Sequence, residues 1–270
     1  VSESNVPEVP GGHGGTAVPS ELAEFSVRLI ARTSFTPPDD VPWEPSPEAG
    51  EASSLVEFAG RACYETWDRP NPHTATTDAY VRHIMDVGHL SLLEHASATM
   101  YLRGVSRSCA QEIMRHRHFS FSQLSQRYVP AGRSDVVVPE PIAGDADLED
   151  LFLRASDVSR QAYEELLDAL EERFSGESNT VLREKQARQA ARAVLPNATE
   201  TRFVMTGNLR SWRHFIAMRA AEHADPEIRR VAVTCLRLLQ EMSPEVFNDF
   251  TVLELRDGTE TASSPYVADI

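Results

Sequence analysis

Apolar positions along the chain follow two rhythms, one near three and a half residues and one near two, and the elements they predict succeed each other in no regular order. The clearest helical pattern covers 147–174, with Leu148, Leu151, Ala155, Val158, Ala162, Leu166 and Leu170 on one stripe. A second helix is expected over 179–194, stopping before Pro196. A third follows Thr206-Gly207-Asn208 and runs to about His223, and a fourth covers 227–242 with Pro226 in its first turn. Shorter helices are expected over 55–63 and over 77–87, the latter with Tyr80, Ile84 and Val87 on one stripe and Gly88 as its stop. Ser106 suits the N-cap of another, passing through Ile113 and Met114. The two-residue rhythm predicts strands over 25–35, 96–104, 200–205 and 247–255. Helices outnumber scattered strands, which predicts an α+β fold rather than repeated βαβ units.

Composition divides the chain simply. Residues 1–24 are rich in Pro, Gly, Ser and Glu and predict a disordered extension; 25–260 form a single domain; 261–270 are a polar tail. The formal charge of −15 argues against a general binder of nucleic acid or membrane surface, because a polyanion would be repelled everywhere except at a local basic pocket. Lys185 is the only lysine, which weighs against Schiff-base chemistry. Cys63, Cys109 and Cys235 are too few and too far apart for a disulfide framework or a zinc knuckle, and a cytoplasmic setting is expected. No apolar run is long enough to span a membrane, and the first residues lack the apolar core of a signal peptide.

Against that acidic background one window stands out. Residues 115–128 carry Arg115, Arg117 and Arg127, His116 and His118, Ser120, Ser122 and Ser125, and Gln123 and Gln126, and no acid lies between Glu112 and Asp135. Guanidiniums present planar forks to phosphate, and Ser and Gln supply neutral groups that read a heterocycle's edge. A solvated basic face is the alternative, but the interleaved Phe119, Phe121, Leu124 and Tyr128 predict a half-buried segment.

Other constellations are weaker. Arg188 and Arg192 lie four apart on one helix face, where they reach an anion or pair with acids such as Glu184. On the helix after Asn208, Arg210 and His214 share one face and Arg219 and His223 the opposite one. The start of that helix, at Gly207 and Asn208, is either an anion site or an ordinary N-cap. His89, Ser91, Glu94 and His95 invite a metal reading, but no histidine pair has the helical spacing of a zinc protease, and His116 and His118 sit among arginines that repel a cation, so no metal site is expected. Ser125 lacks a nucleophile elbow, no cysteine has a histidine nearby in sequence, and no G-x-G-x-x-G turn is present.

Arg115-His116-Arg117, followed after seven residues by Ser125, resembles the signature of the flavin-dependent thymidylate synthases, actinobacterial members most of all. The resemblance runs from about Ser26 to about Thr259 and takes in Gly88-His89-x-Ser91-x-x-Glu94-His95, 122–128, the Arg188 to Arg192 helix and the Arg210 to His223 helix. It implies an antiparallel sheet surrounded by helices and a homotetramer with active sites where subunits meet. It also implies FAD as cofactor, NADPH and 5,10-methylenetetrahydrofolate as co-substrates, and dUMP methylated to dTMP without a covalent cysteine. Carried over by position, Ser91, Arg115, His116, Arg117, Gln123, Asn208, Leu209, Arg210 and His214 resemble FAD contacts. Glu112, Ile113, Met114, Arg115, Gln123, Leu124, Ser125, Gln126, Arg127, Arg192 and Arg219 resemble dUMP contacts, with Arg219 the catalytic, activating residue. Ser125 has no neighbouring base, so a hydrogen bond to the nucleotide phosphate is expected of it rather than attack. Two other classes compete with this expectation: a flavin-containing nucleotide- or RNA-binding protein, and a metal-dependent nucleotide hydrolase using the histidines and Glu94.

Overall fold

The computed structural model describes residues 22–68, 71–131 and 135–267; the expected extension over 1–24 lies almost entirely outside the described residues. Strand β1 (Ser26–Arg32) opens the described fold, and its partner β2 (Ser97–Ser106) organises it. Along β2, Ala98, Met100 and Leu102 are buried while Thr99 and Tyr101 are half-buried and Arg103 is exposed, the alternation of a strand with one face on a core. Strands β3 (Ser120–Gln123) and β4 (Glu200–Asn208) complete a four-stranded antiparallel sheet in the order β1-β2-β4-β3. Met100 lies opposite Met205 on the core side; Thr99 lies opposite Thr206 on the other, their hydroxyls 3.0 Å apart. Two glycines make the sheet possible. Gly104 sits at a bulge with φ +64°, where a Cβ would fall 2.2 Å from the Glu24 carbonyl oxygen, and a Cβ on Gly207 would fall 2.4 Å from the Phe119 ring.

Helices α1 (Glu51–Ala62), α2 (Thr77–Asp86) and α3 (Arg107–Ile113) pack on the inner face, joined by α6 (Leu209–Arg219), α7 (Pro226–Met242) and the single turn α8 (Pro244–Phe247). Leu209, Trp212, Phe215 and Ile216 of α6 are wholly buried, each such side chain contributing about 1.5–3 kcal/mol from water exclusion. The caps are those the residue types predict. Ser106 Oγ accepts from Cys109 N–H at 3.0 Å, Asn208 Oδ1 from Ser211 N–H at 2.8 Å, and Asp225 Oδ1 from Glu227 N–H at 2.9 Å ahead of α7.

Four expectations need correction. The helices cover one face of the sheet rather than surrounding it: Arg28, Tyr101, Val204 and Ser122 form a row across the outer face and none is buried. Helix α6 ends at Arg219, short of His223, because the Ala220 carbonyl is taken by Ala262 N–H at 2.9 Å and Thr261 Oγ1–H at 2.7 Å. Arg219 and His223 therefore do not share a helix face. The expected strand over 247–255 begins as helix and becomes strand only in β5 (Thr251–Glu254), which pairs with β6 (Glu260–Ser263). That hairpin reaches into the segment expected to be polar tail, and Ala262 is buried.

The fourth correction concerns α4 (Ala146–Arg173), which packs with α5 (Thr180–Ala191) beside the main domain. Its inward positions are Ser156, Arg160 and Tyr163, the Tyr163 hydroxyl accepting from Ala131 N–H at 3.3 Å. Leu148, Leu151, Val158 and Leu166 of the expected core stripe are exposed.

Candidate active site

A cavity of about 540 Å³ opens where the first turns of α6 meet the 3-10 turn Leu90–Glu94. The Asn208 cap sets the phase of α6, so Arg210 and His214 line the cavity while Trp212, Phe215 and Ile216 enter the core. Glu94 Oε1 accepts from Arg210 Nη1–H at 2.6 Å at a half-exposed position, an ion pair that aims the arginine more than it stabilises the fold. Leu90 and Leu93 give the cavity apolar surface, His118 adds a second imidazole, and Tyr266 and Val267 arrive from the far end of the chain. Arg213, also at the cavity, is buried and donates twice to the Asp249 carboxylate, at 2.6 and 2.7 Å.

Arg219, at the other end of α6, is held by two acceptors. Its Nε–H donates to His116 Nε2 at 2.9 Å and its Nη1–H to Glu112 Oε2 at 3.4 Å. His116 is buried, and burial first, then the charges of Arg219, His214, His118 and Arg115, lowers its pKa to about 4. The imidazole is thus neutral at neutral pH, as an acceptor from a guanidinium must be. Its ring lies 6.2 Å from that of His214 and 5.1 Å from that of Phe215, centroid to centroid, so His116 bridges the cavity and Arg219. His214 also titrates below its ordinary range, through burial and then the charge of His118.

The other expected site residues fall into three groups. Asn208, Arg210 and His214 line the cavity; Ser91 sits in the 3-10 turn beside it, and Arg115 and Arg117 flank His116 with exposed side chains. A second group lies away from it. Gln123 Nε2–H donates to Thr201 Oγ1 at 3.2 Å, Ser125 Oγ accepts weakly from Arg127 N–H at 3.4 Å, and Arg192 lies in the 3-10 turn after α5. Gln126 is buried with its Nε2 unpartnered among the described residues, a polar atom ready for a ligand. The third group offers a ligand little. Leu209 and Ile113 are wholly buried, Met114 and Leu124 are half-buried, and Leu209 N–H is committed to the Ala96 carbonyl at 2.9 Å. With that amide bonded and Ser211 N–H capped, the start of α6 is an ordinary N-cap. Arg188 pairs with Glu184 at 2.9 Å, as one of its two readings had it.

Sequence reasoning missed Tyr266 and Val267, which carry no motif and reach the site only through long-range packing, and gave no role to Arg213 inside the quoted Arg210 to His223 helix. Glu94 and His118 stood inside quoted motifs but were not assigned to the ligand. Burial raises the thiol pKa values of Cys109 and Cys235, that of Cys235 to about 12, so both stay protonated. Among the described residues, no group of three or more His, Cys, Asp or Glu side chains could hold a metal ion, and no helix is long and apolar enough to cross a membrane.

Arg210 with two histidines and the apolar side chains of Leu90 and Leu93 makes this cavity a candidate small-molecule site. The chain belongs to the thymidylate synthase complementing protein family, whose model matches residues 48–245. It is 64% identical over 250 residues to a flavin-dependent thymidylate synthase of Corynebacterium efficiens, covering 93% of this chain and 99% of that one. Enzymes of the same name from Corynebacterium glutamicum and Mycobacterium sp. strain KMS are 63% and 62% identical, with the same coverage.

Proposed function

We propose that this chain is a flavin-dependent thymidylate synthase, methylating dUMP to dTMP with 5,10-methylenetetrahydrofolate as carbon donor and NADPH as reductant. The observation that carries the reading is Arg219 bonded to a neutral His116 next to the Arg210 and His214 cavity, in a chain at least 62% identical to three enzymes of that name. The residues fit FAD: Arg210, His118 and His214 suit a pyrophosphate, and Leu90, Leu93, Tyr266 and Val267 suit its rings. When bound, FAD supplies the hydride that completes the methyl group.

The chain's own residues do the rest. Ser91, Arg115, Arg117, Gln123 and Asn208 hold the cofactor with Arg210, His214 and His116; Leu209 and Ile113, buried in the core, act only by fixing their neighbours. Ser125, Gln126, Arg127 and Arg192 hold the nucleotide phosphate, with Glu112, Gln123 and the backbone near Met114 and Leu124 at the base and sugar. His116 accepts from Arg219 as a neutral imidazole, so that contact adds no opposing charge beside the guanidinium. Placed against the uracil, Arg219 stabilises the anion formed as N3 ionises, which enriches C5 in electrons and removes the need for thiolate attack. The protonated state of Cys109 and Cys235 supports this.

The uncovered sheet face, the exposed residues of α4 and the absence of Gln123, Ser125, Gln126, Arg127 and Arg192 from the cavity lining support a homotetramer with shared sites. The net charge of −15 disfavours nucleic acid as a partner, and three unpaired cysteines suit the cytoplasm. The purified protein should be yellow, bleach with NADPH without oxygen, and form dTMP only with dUMP, NADPH and the folate present. A colourless protein that takes up no added FAD and leaves dUMP unchanged overturns the reading.

A further inference from the structure

The last described residues are held more firmly than a polar tail requires. Within the turn at 264–267, Tyr266 N–H donates to Ser264 Oγ at 3.1 Å and Val267 N–H to the Ser264 carbonyl at 3.3 Å. Ser264 Oγ–H donates in turn to Asp249, whose carboxylate is gripped by the buried Arg213 of α6. At the other side of the turn Asp86, at the end of α2, lies close enough to the Tyr266 hydroxyl to raise its pKa. These anchors bring two apolar side chains, Tyr266 and Val267, to the cavity that Arg210 and His214 line. A turn that served only to cover the core would not need to present its largest side chain to that space.

Resting on the flavin reading, we propose that Tyr266 is a further cofactor-binding residue. With Val267 it forms an apolar wall for a ring of the dinucleotide, and Arg213 and Asp249 are positioning residues for that wall. An anionic dinucleotide needs cationic donors and a place to exclude water from its rings; α6 supplies the first, the C-terminal turn the second.

Titration of the flavin-free full-length protein with FAD, followed by flavin fluorescence, tests this. Tyr266→Phe keeps the ring and should bind within about threefold of wild type, whereas Tyr266→Ala should bind about tenfold or more weakly. Val267→Asp should also lose about tenfold, and its loss should shrink in high salt because it arises from charge repulsion, while that of Tyr266→Ala should not. Wild-type FAD affinity in folded Tyr266→Ala and Val267→Asp overturns the proposal; if Tyr266→Ala does not fold, Val267→Asp decides it alone. A wild-type protein that binds no FAD sinks the flavin reading itself, and this inference with it.

Discussion

Helices α4 and α6 use apolar surface in opposite ways. Every large apolar side chain of the first two turns of α6 lies in the core, which leaves Arg210, His214 and Arg219 for the cavity and for His116. On α4 most of the apolar stripe is exposed, Leu151 by 58% and Val158 by 69%, and only its end at Leu170 packs inward, while a serine, an arginine and a tyrosine form the buried positions. The difference teaches that an amphipathic stripe reports a face destined for burial without naming what buries it. Five turns of apolar stripe left in water suit an interface better than a free surface, in keeping with the proposed homotetramer.

If this contrast is right, damage to α6 should act within each chain and damage to α4 through assembly. Trp212→Ala removes a wholly buried indole whose Nε1–H donates to the Ala98 carbonyl at 3.1 Å, and should cost about 3–5 kcal/mol in urea unfolding. Arg219→Ala should lower dTMP formation by about 100-fold or more while the flavin spectrum persists. Wild-type turnover in that variant would refute the activating role. Val158→Asp should change the stability of one chain by no more than about 0.5 kcal/mol, yet shift the mass measured by light scattering toward smaller species at low concentration. An unchanged mass would break the comparison on the α4 side.

A further effect is a pH slope. His116 titrates at about 4 in the folded chain against an ordinary 6.5, so between these values the unfolded chain takes up a proton that the folded one refuses. Stability should be full above pH 6.5 and decline as the pH falls toward about 4, and His116→Gln, which keeps an acceptor for Arg219, should flatten that slope in unfolding curves measured across the range.

Local signals were readable where the physics is local. Ser106, Asn208 and Pro226 marked helix starts because caps act within three residues, and Arg210 and His214 were placed on one face by spacing alone. The end of α6 was not readable, since the hydrogen bonds that take the Ala220 carbonyl come from Thr261 and Ala262, about forty residues on. Nor was the inner face of α4, where Tyr163 turns inward because it meets Ala131 and Ala191.

The order of residues by itself determined where most helices begin, the gathering of arginines in an acidic chain, and the family to which the chain belongs, because capping, periodicity and motif spacing are properties of neighbours. Only the tertiary structure decided that His116 would be neutral and accept from Arg219, 103 positions away, and that Tyr266 would stand in the wall of the cavity. Both depend on burial and on distances through space, which the folded packing of the whole chain sets.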